Sequence, residues 1–273
     1  MPRRNFIQVL REGRIDIKNE YSKLYSMFYE RDTRDNKSLA EIISFNFTNF
    51  PFSGTCLSLE EFDEMHDIHF EEQPQNFDLD YLVNFCEYIY NFVLYFNDGY
   101  FLHTFNRQDY LDHINRVIEA IGYNMFNEEG FVIFVPKDNV AISVSELEII
   151  PNDISYKIIE YNHHSMKNDL ERKHHTLVVL SNLLEPKRKE LKDINKEIES
   201  DIFYAFNNLN IRHNNIDSTG TKYKKFVAEM DKVQLEEWYD EIFQMCLLAF
   251  MILDNKKRKE AFDLLKKKIE TEK

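Results

Sequence analysis

The chain has 273 residues, with 34 Lys plus Arg against 48 Asp plus Glu, and so carries a formal net charge of −14. Its 43% hydrophobic and 14% aromatic content can repay the entropy of ordering, which excludes a disordered chain. Six Gly and six Pro are too few for collagen-like, linker-like or turn-dense all-β architectures. These figures predict a mainly α protein.

In chain order, the opening MPRRNFIQVL meets Arg11, Glu12, Arg14 and Asp16 before any apolar run can build up, so no signal peptide is expected. Phe6 to Phe28 has a loose helical spacing, and Arg31 to Lys37 reads as a loop. Phe45 to Ser58, with Pro51 and Gly54, reads as irregular or as a short strand, and Leu59 to His66 as a helical turn. Leu79 to Phe96 is the most apolar stretch. Its Asp80, Asn84, Glu87 and Asn91 fall on one stripe, which makes it a core helix with a narrow wet face rather than a membrane span. Gln108 to Ile121 fits an amphipathic helix. Phe131 to Val135 and Val140 to Val144 flank Pro-Lys-Asp-Asn as a hairpin would, although the second run also suits the start of a helix.

Asp169 to Leu184 predicts a helix, and Glu185-Pro186 a break with Pro in the first turn of the next. Leu191, Ile194, Ile198, Ile202, Ala205 and Leu209 then form one apolar seam over five turns, ending near Arg212. After a polar loop come a helix from Val233 to Leu253 and a separate basic amphipathic helix from Lys256 to Ile269. The expected architecture is an acidic, aromatic-rich, α-rich module with a short hairpin near 131–144 (residues 1–150) and an antiparallel helical bundle (residues 151–273). Cys56, Cys86 and Cys246 follow no metal or redox spacing. They read as buried small hydrophobes in a reducing compartment, hence a cytoplasmic protein with no membrane partner.

The acidity is regional. From Pro186 onward 18 basic residues face 17 acidic ones, whereas residues 1–185 carry −15, and no Lys or Arg occurs between Ser38 and Asn106. That half repels phosphate backbones, so RNA contact is expected only through the C-terminal half. Glu60, Glu61, Asp63, Glu64, Asp67, Glu71 and Glu72 read either as a solvated face or as a surface that binds a basic protein partner or mimics a nucleic-acid backbone. Phe62, Phe70, Phe77 and Tyr81 would suit such a surface or a core equally.

Arg212-His213-Asn214-Asn215 stands where a helix gives way to a loop. An imidazole there can take a 2′-hydroxyl proton and a guanidinium can hold a phosphate, a minimal ribonuclease; the same residues can equally serve only to end a helix. His174 reads as a hydrogen-bonded core histidine. His66 and His69 with Asp63 and Asp67 have the spacing of a metal site but lack a clear third ligand position. There is no Gly-rich phosphate loop, Gly-x-Ser-x-Gly elbow or paired-Cys site, so no metal or cofactor is implied, and nucleotide hydrolases and common serine hydrolases drop out.

Glu160-Tyr161-Asn162-His163, Leu184-Glu185-Pro186-Lys187-Arg188 and Asn207 through Asn215 together resemble C-terminal helical domains of bacterial phage-resistance proteins of the abortive-infection type, within the broad HEPN group. The resemblance covers at most residues 155–255. In that group an Arg at a helix end is followed a few residues later by a His, and two protomers join to cut RNA. Here Arg212 holds the first place, His213 follows directly, and Asp217, Ser218 and Thr219 occupy the distal positions. The resemblance implies a metal-independent endoribonuclease that forms a homodimer. Arg212 and His213 would be catalytic, Arg212 steadying the phosphate and His213 acting as general base or acid, and Asn214 and Asn215 would position the RNA.

Overall fold

The computed structural model describes residues 16–33, 36–96 and 106–271. The chain is mainly helical, with one two-stranded antiparallel hairpin among the described residues, and it divides into a unit ending at Lys137 and a second beginning at Asp138.

In the first unit, short polar side chains start each α-helix among the described residues by accepting the otherwise unpaired N–H groups of its first turn. Asp16 caps α1 (Ile17–Tyr29), Ser38 with Glu41 forms a capping box on α2 (Leu39–Phe45), and Ser58 caps α3 (Leu59–Met65). Asp78 caps α4 (Leu79–Tyr95), and Asn106 caps α5 (Arg107–Ala120). The segment between α2 and α3 is irregular, with a 3₁₀ turn at Phe47–Asn49. The expected helical stretch before Asp16 lies outside the described residues.

The core of this unit is built largely of aromatic rings, with Tyr21, Phe28, Phe47, Phe85, Phe92, Tyr110 and Phe134 nearly inaccessible. Phe62, Phe70, Phe77 and Tyr81 are partly buried and pack against that core.

The hairpin pairs β1 (Tyr123–Glu128) with β2 (Phe131–Pro136), not 131–135 with 140–144. Its two-residue turn is Glu129-Gly130, both with positive φ (52° and 93°), the twist that matches flanking strands. A Cβ on Gly130 would also collide with the Tyr95 hydroxyl. Val140 to Val144 is helical because the Asp138 carboxylate accepts the N–H groups of Val140 and Ala141, starting α6 (Asn139–Ser145). Ala141 and Val144 belong to the core of the second unit, which moves the boundary from 150 back to Asp138.

The stripe expected to be wet on α4 is put to use. The Asn91 amide accepts from Val132 N–H and donates to Val132 C=O, both at 2.8 Å, and Glu87 Oε1 accepts from Phe134 N–H at 2.6 Å. These side chains satisfy three backbone groups of β2 on the edge that β1 does not cover.

The second unit continues with α7 (Asn152–Glu160), α8 (Leu170–Leu184) and, after a 3₁₀ turn at Glu185–Lys187, α9 (Arg188–Ile194). Then follow α10 (Lys196–Asn208), α11 (Lys225–Ala228) and α12 (Lys232–Thr271). The seam expected to be continuous from Leu191 to Leu209 breaks at Asn195. Its backbone is extended (φ −147°, ψ 98°), and its side chain caps α10 through the N–H groups of Glu197 and Ile198.

In the opposite sense, the two helices expected over 233–253 and 256–269 are one helix of 40 residues, since nothing between Leu253 and Lys256 competes for its backbone. Lys173 near the start of α8 pairs with Asp240 near the start of α12, so these two helices begin at the same end. The end of α10 lies beside their beginnings: Asn208 shares a pocket with Trp238, and the Asn210 carbonyl meets His174. Antiparallel packing therefore holds for α10 against α12, but not between α8 and α12.

Among the described residues no helix is long and apolar enough to cross a membrane. All three cysteines are free and buried.

Asn91→Ala strips two backbone groups of β2 of their partner. It is expected to lower stability by about 1–3 kcal/mol, read as a lower urea midpoint, and an unchanged midpoint would remove Asn91 from this role.

Candidate functional site

The segment after α10 is organised from beneath. Leu209 N–H still reaches Ala205 C=O, Asn210 takes a left-handed φ of 58°, and Arg212 N–H returns to Phe206 C=O at 2.9 Å. Asn215, wholly buried, fixes the course of the loop. Its Oδ1 accepts from Asn210 N–H at 2.8 Å, and its Nδ2 donates to the carbonyls of Asn207 (3.2 Å) and Lys222 (2.8 Å). Asn210 Oδ1 accepts from Asn215 N–H in return. His174 Nε2 lies 2.7 Å from Asn210 C=O, and because a carbonyl only accepts, that nitrogen carries the proton. His174 is thus the hydrogen-bonded histidine the sequence suggested.

Of the four residues expected to act on RNA, the fold exposes His213 and Asn214, leaves Arg212 half-buried and withdraws Asn215. The Asn215 amide is spent on backbone groups and has no face to offer a ligand. Arg212 Nη1 is ion-paired with Glu185 Oε2, which joins two of the segments that carried the resemblance but engages the guanidinium. His213 is exposed. Asn214 Oδ1 accepts from Asp217 N–H, and Asp217 in turn binds the hydroxyl and N–H of Thr219, which hold its carboxyl below the usual range. The positions of a distal His are therefore occupied by a small hydrogen-bonded turn.

The spaced tetrad does not converge. Asp67 has a φ of 52° just past the end of α3, and no three of Asp63, His66, Asp67 and His69 bring ligand atoms together. Asp63 instead turns toward α4, where the Tyr88 hydroxyl reaches its two oxygens at 3.1 and 3.2 Å. It lines a pocket of about 430 Å³ with Glu41, Glu60 and Ser44 and the rings of Tyr29, Phe45 and Tyr88. Burial pushes its carboxyl up to about 6 against the opposing Tyr88 hydrogen bond, with Glu60 adding to the rise. Glu41 is already paired with Arg31, and Phe45 stands almost fully exposed at the rim.

Sequence reasoning did not single out Lys173. It is 5% exposed, lies 2.7 Å from both Glu236 and Asp240, and sits 5.5 Å from the centroid of the Tyr161 ring. That ring stacks on Phe243 at 3.9 Å. The available signal was its place four residues before Leu177, on the buried face of α8. With both carboxylates engaged, the cluster acts as a clamp between α8 and α12.

No family model, curated protein or solved structure matches this chain.

Asn215→Ala is expected to destabilise the protein by about 1–3 kcal/mol in urea unfolding, because two carbonyls and an N–H lose their partner. His213→Ala, at an exposed position, should leave the midpoint unchanged; equal effects would contradict the division of roles in this loop.

Proposed function

We propose that the chain is an interaction or regulatory protein whose acidic first unit receives a Lys or Arg side chain of a basic partner protein. The observation that carries this reading is the Asp63 pocket. It combines a half-buried carboxylate, a second acid at Glu60 and three aromatic walls, in a stretch of sequence that has no Lys or Arg of its own. A cation seated there gains ion pairing in a poorly hydrated site and contact with ring faces.

The pH dependence has a definite sign. The folded state raises the Asp63 pKa, so it favours the protonated carboxyl. That contribution is complete below the ordinary Asp value, about 4, and is lost as pH rises through about 6. A bound cation favours the ionised form, so affinity should fall as pH drops from 7 to 5. Asp63→Asn should weaken binding of a fluorescent Lys/Arg-rich peptide about tenfold or more. Neutralising the exposed Glu71 and Glu72 should change it far less. Equal losses would mean diffuse attraction to a negative surface and would defeat the pocket.

A second reading is favoured by the pinned loop, which displays Arg212 and His213 on a rigid base: a HEPN-like defence protein cutting RNA without metal. In it His213 moves the 2′-hydroxyl proton and Arg212 leaves Glu185 for the phosphate. Total RNA incubated in EDTA would then be cleaved by the wild type and not by the Arg212→Ala, His213→Ala double variant. Identical lanes would end this reading for the resting protein.

A further inference from the structure

We propose that the exposed half of α12 pairs with the same segment of a second copy of this chain as a parallel two-stranded coiled coil. The inference is independent of either reading of function. Every residue from Asn255 to Thr271 whose side chain is described is exposed, including Phe262 (60%), Leu265 (50%) and Ile269 (55%). These three continue a repeat of seven. Leu248, Asn255, Phe262 and Ile269 recur at one position, and Met251, Arg258 and Leu265 fall between them, which is the spacing that keeps two helices in contact along a left-handed supercoil. The seam begins at the margin of the core of the second unit, against which Met251 is still partly buried. Leu248 is 48% exposed while its neighbours Leu247, Ala249 and Phe250 are buried. From Leu248 to Ile269 it runs about 33 Å at the usual helical rise.

The seam selects a second copy over a lipid surface because it is narrow. Lys256, Lys259, Lys266 and Lys267 crowd its other sides, and Leu264 stands off it, whereas a helix lying in a membrane interface presents a broad apolar face. The flanking charges favour the parallel arrangement, in which Asp254 of each copy faces Lys259 of the other. That arrangement also sets Asn255 against Asn255, where two amides satisfy each other, while the antiparallel register would place each amide opposite Leu265. Arg258 interrupts the apolar row. Its guanidinium is held 2.6 Å from the Asp254 carboxylate one turn back, which draws the charge to the edge of the seam.

Light scattering of the full chain at micromolar concentration should give twice 33.0 kDa. The Phe262→Glu, Leu265→Glu variant should dissociate at least about tenfold more readily with an unchanged helical circular-dichroism spectrum, since both positions are already exposed. Asn255→Cys should form a disulfide-linked dimer on oxidation; the native thiols are buried and do not compete. A single-chain mass for the wild type overturns the pairing, as does a monomer that sediments with anionic vesicles. A variant that stays dimeric overturns the seam, and a dimer whose Asn255→Cys form does not cross-link overturns the parallel arrangement.

Discussion

A backbone polar group taken out of water must find a partner, and the first unit is organised around meeting that requirement for one strand. A two-stranded hairpin can satisfy only the facing edges of its strands. The inner edge of β2 is met by Asn91 and Glu87, two polar side chains on a helix whose other residues are largely buried. They set where β2 lies on α4, and the Phe134 side chain enters the aromatic core at that position. The second unit meets the same requirement at its irregular segment, where a single buried amide at Asn215 ties together Asn207, Asn210 and Lys222.

These side chains also explain what could be read from the sequence and what could not. Helices with wide apolar faces, such as α4, α5 and α8, were legible because their periodicity reports directly which side is buried. The break at Asn195 was not, since the apolar spacing continues across it and only the cap geometry reveals the turn. The hairpin was misplaced for a related reason. Pro136 to Asn139 has turn composition, but Asp138 uses its carboxylate to start a helix, and the true turn rests on Glu129 and Gly130 adopting positive φ. The helix ends differ because a terminus depends on hydrogen bonds that hydrophobic spacing does not encode.

The candidate site was legible in position and only partly in content. That Arg212 to Asn214 would sit in a loop beyond a helix could be inferred from the polar composition after Leu209, although α10 stops at Asn208 rather than near Arg212. That Glu185 would hold Arg212, and that Asn215 would face inward, depends on contacts between segments far apart in sequence. The Asp63 pocket shows the converse. The acidic run is plain in the sequence, but seven acids give no sign of which one will be drawn toward Tyr88 and lose water.

The free cysteines have a consequence for how the molecule reports on its own opening. Burial pushes the thiols of Cys86 and Cys246 far up, and the thiolate is the form that alkylates. Each lies in the core of a different unit, so its modification must wait for that unit to loosen. Cys86 and Cys246 thereby serve as internal clocks, one in each unit, and their separate rates under native conditions would register whether the units open together or one at a time.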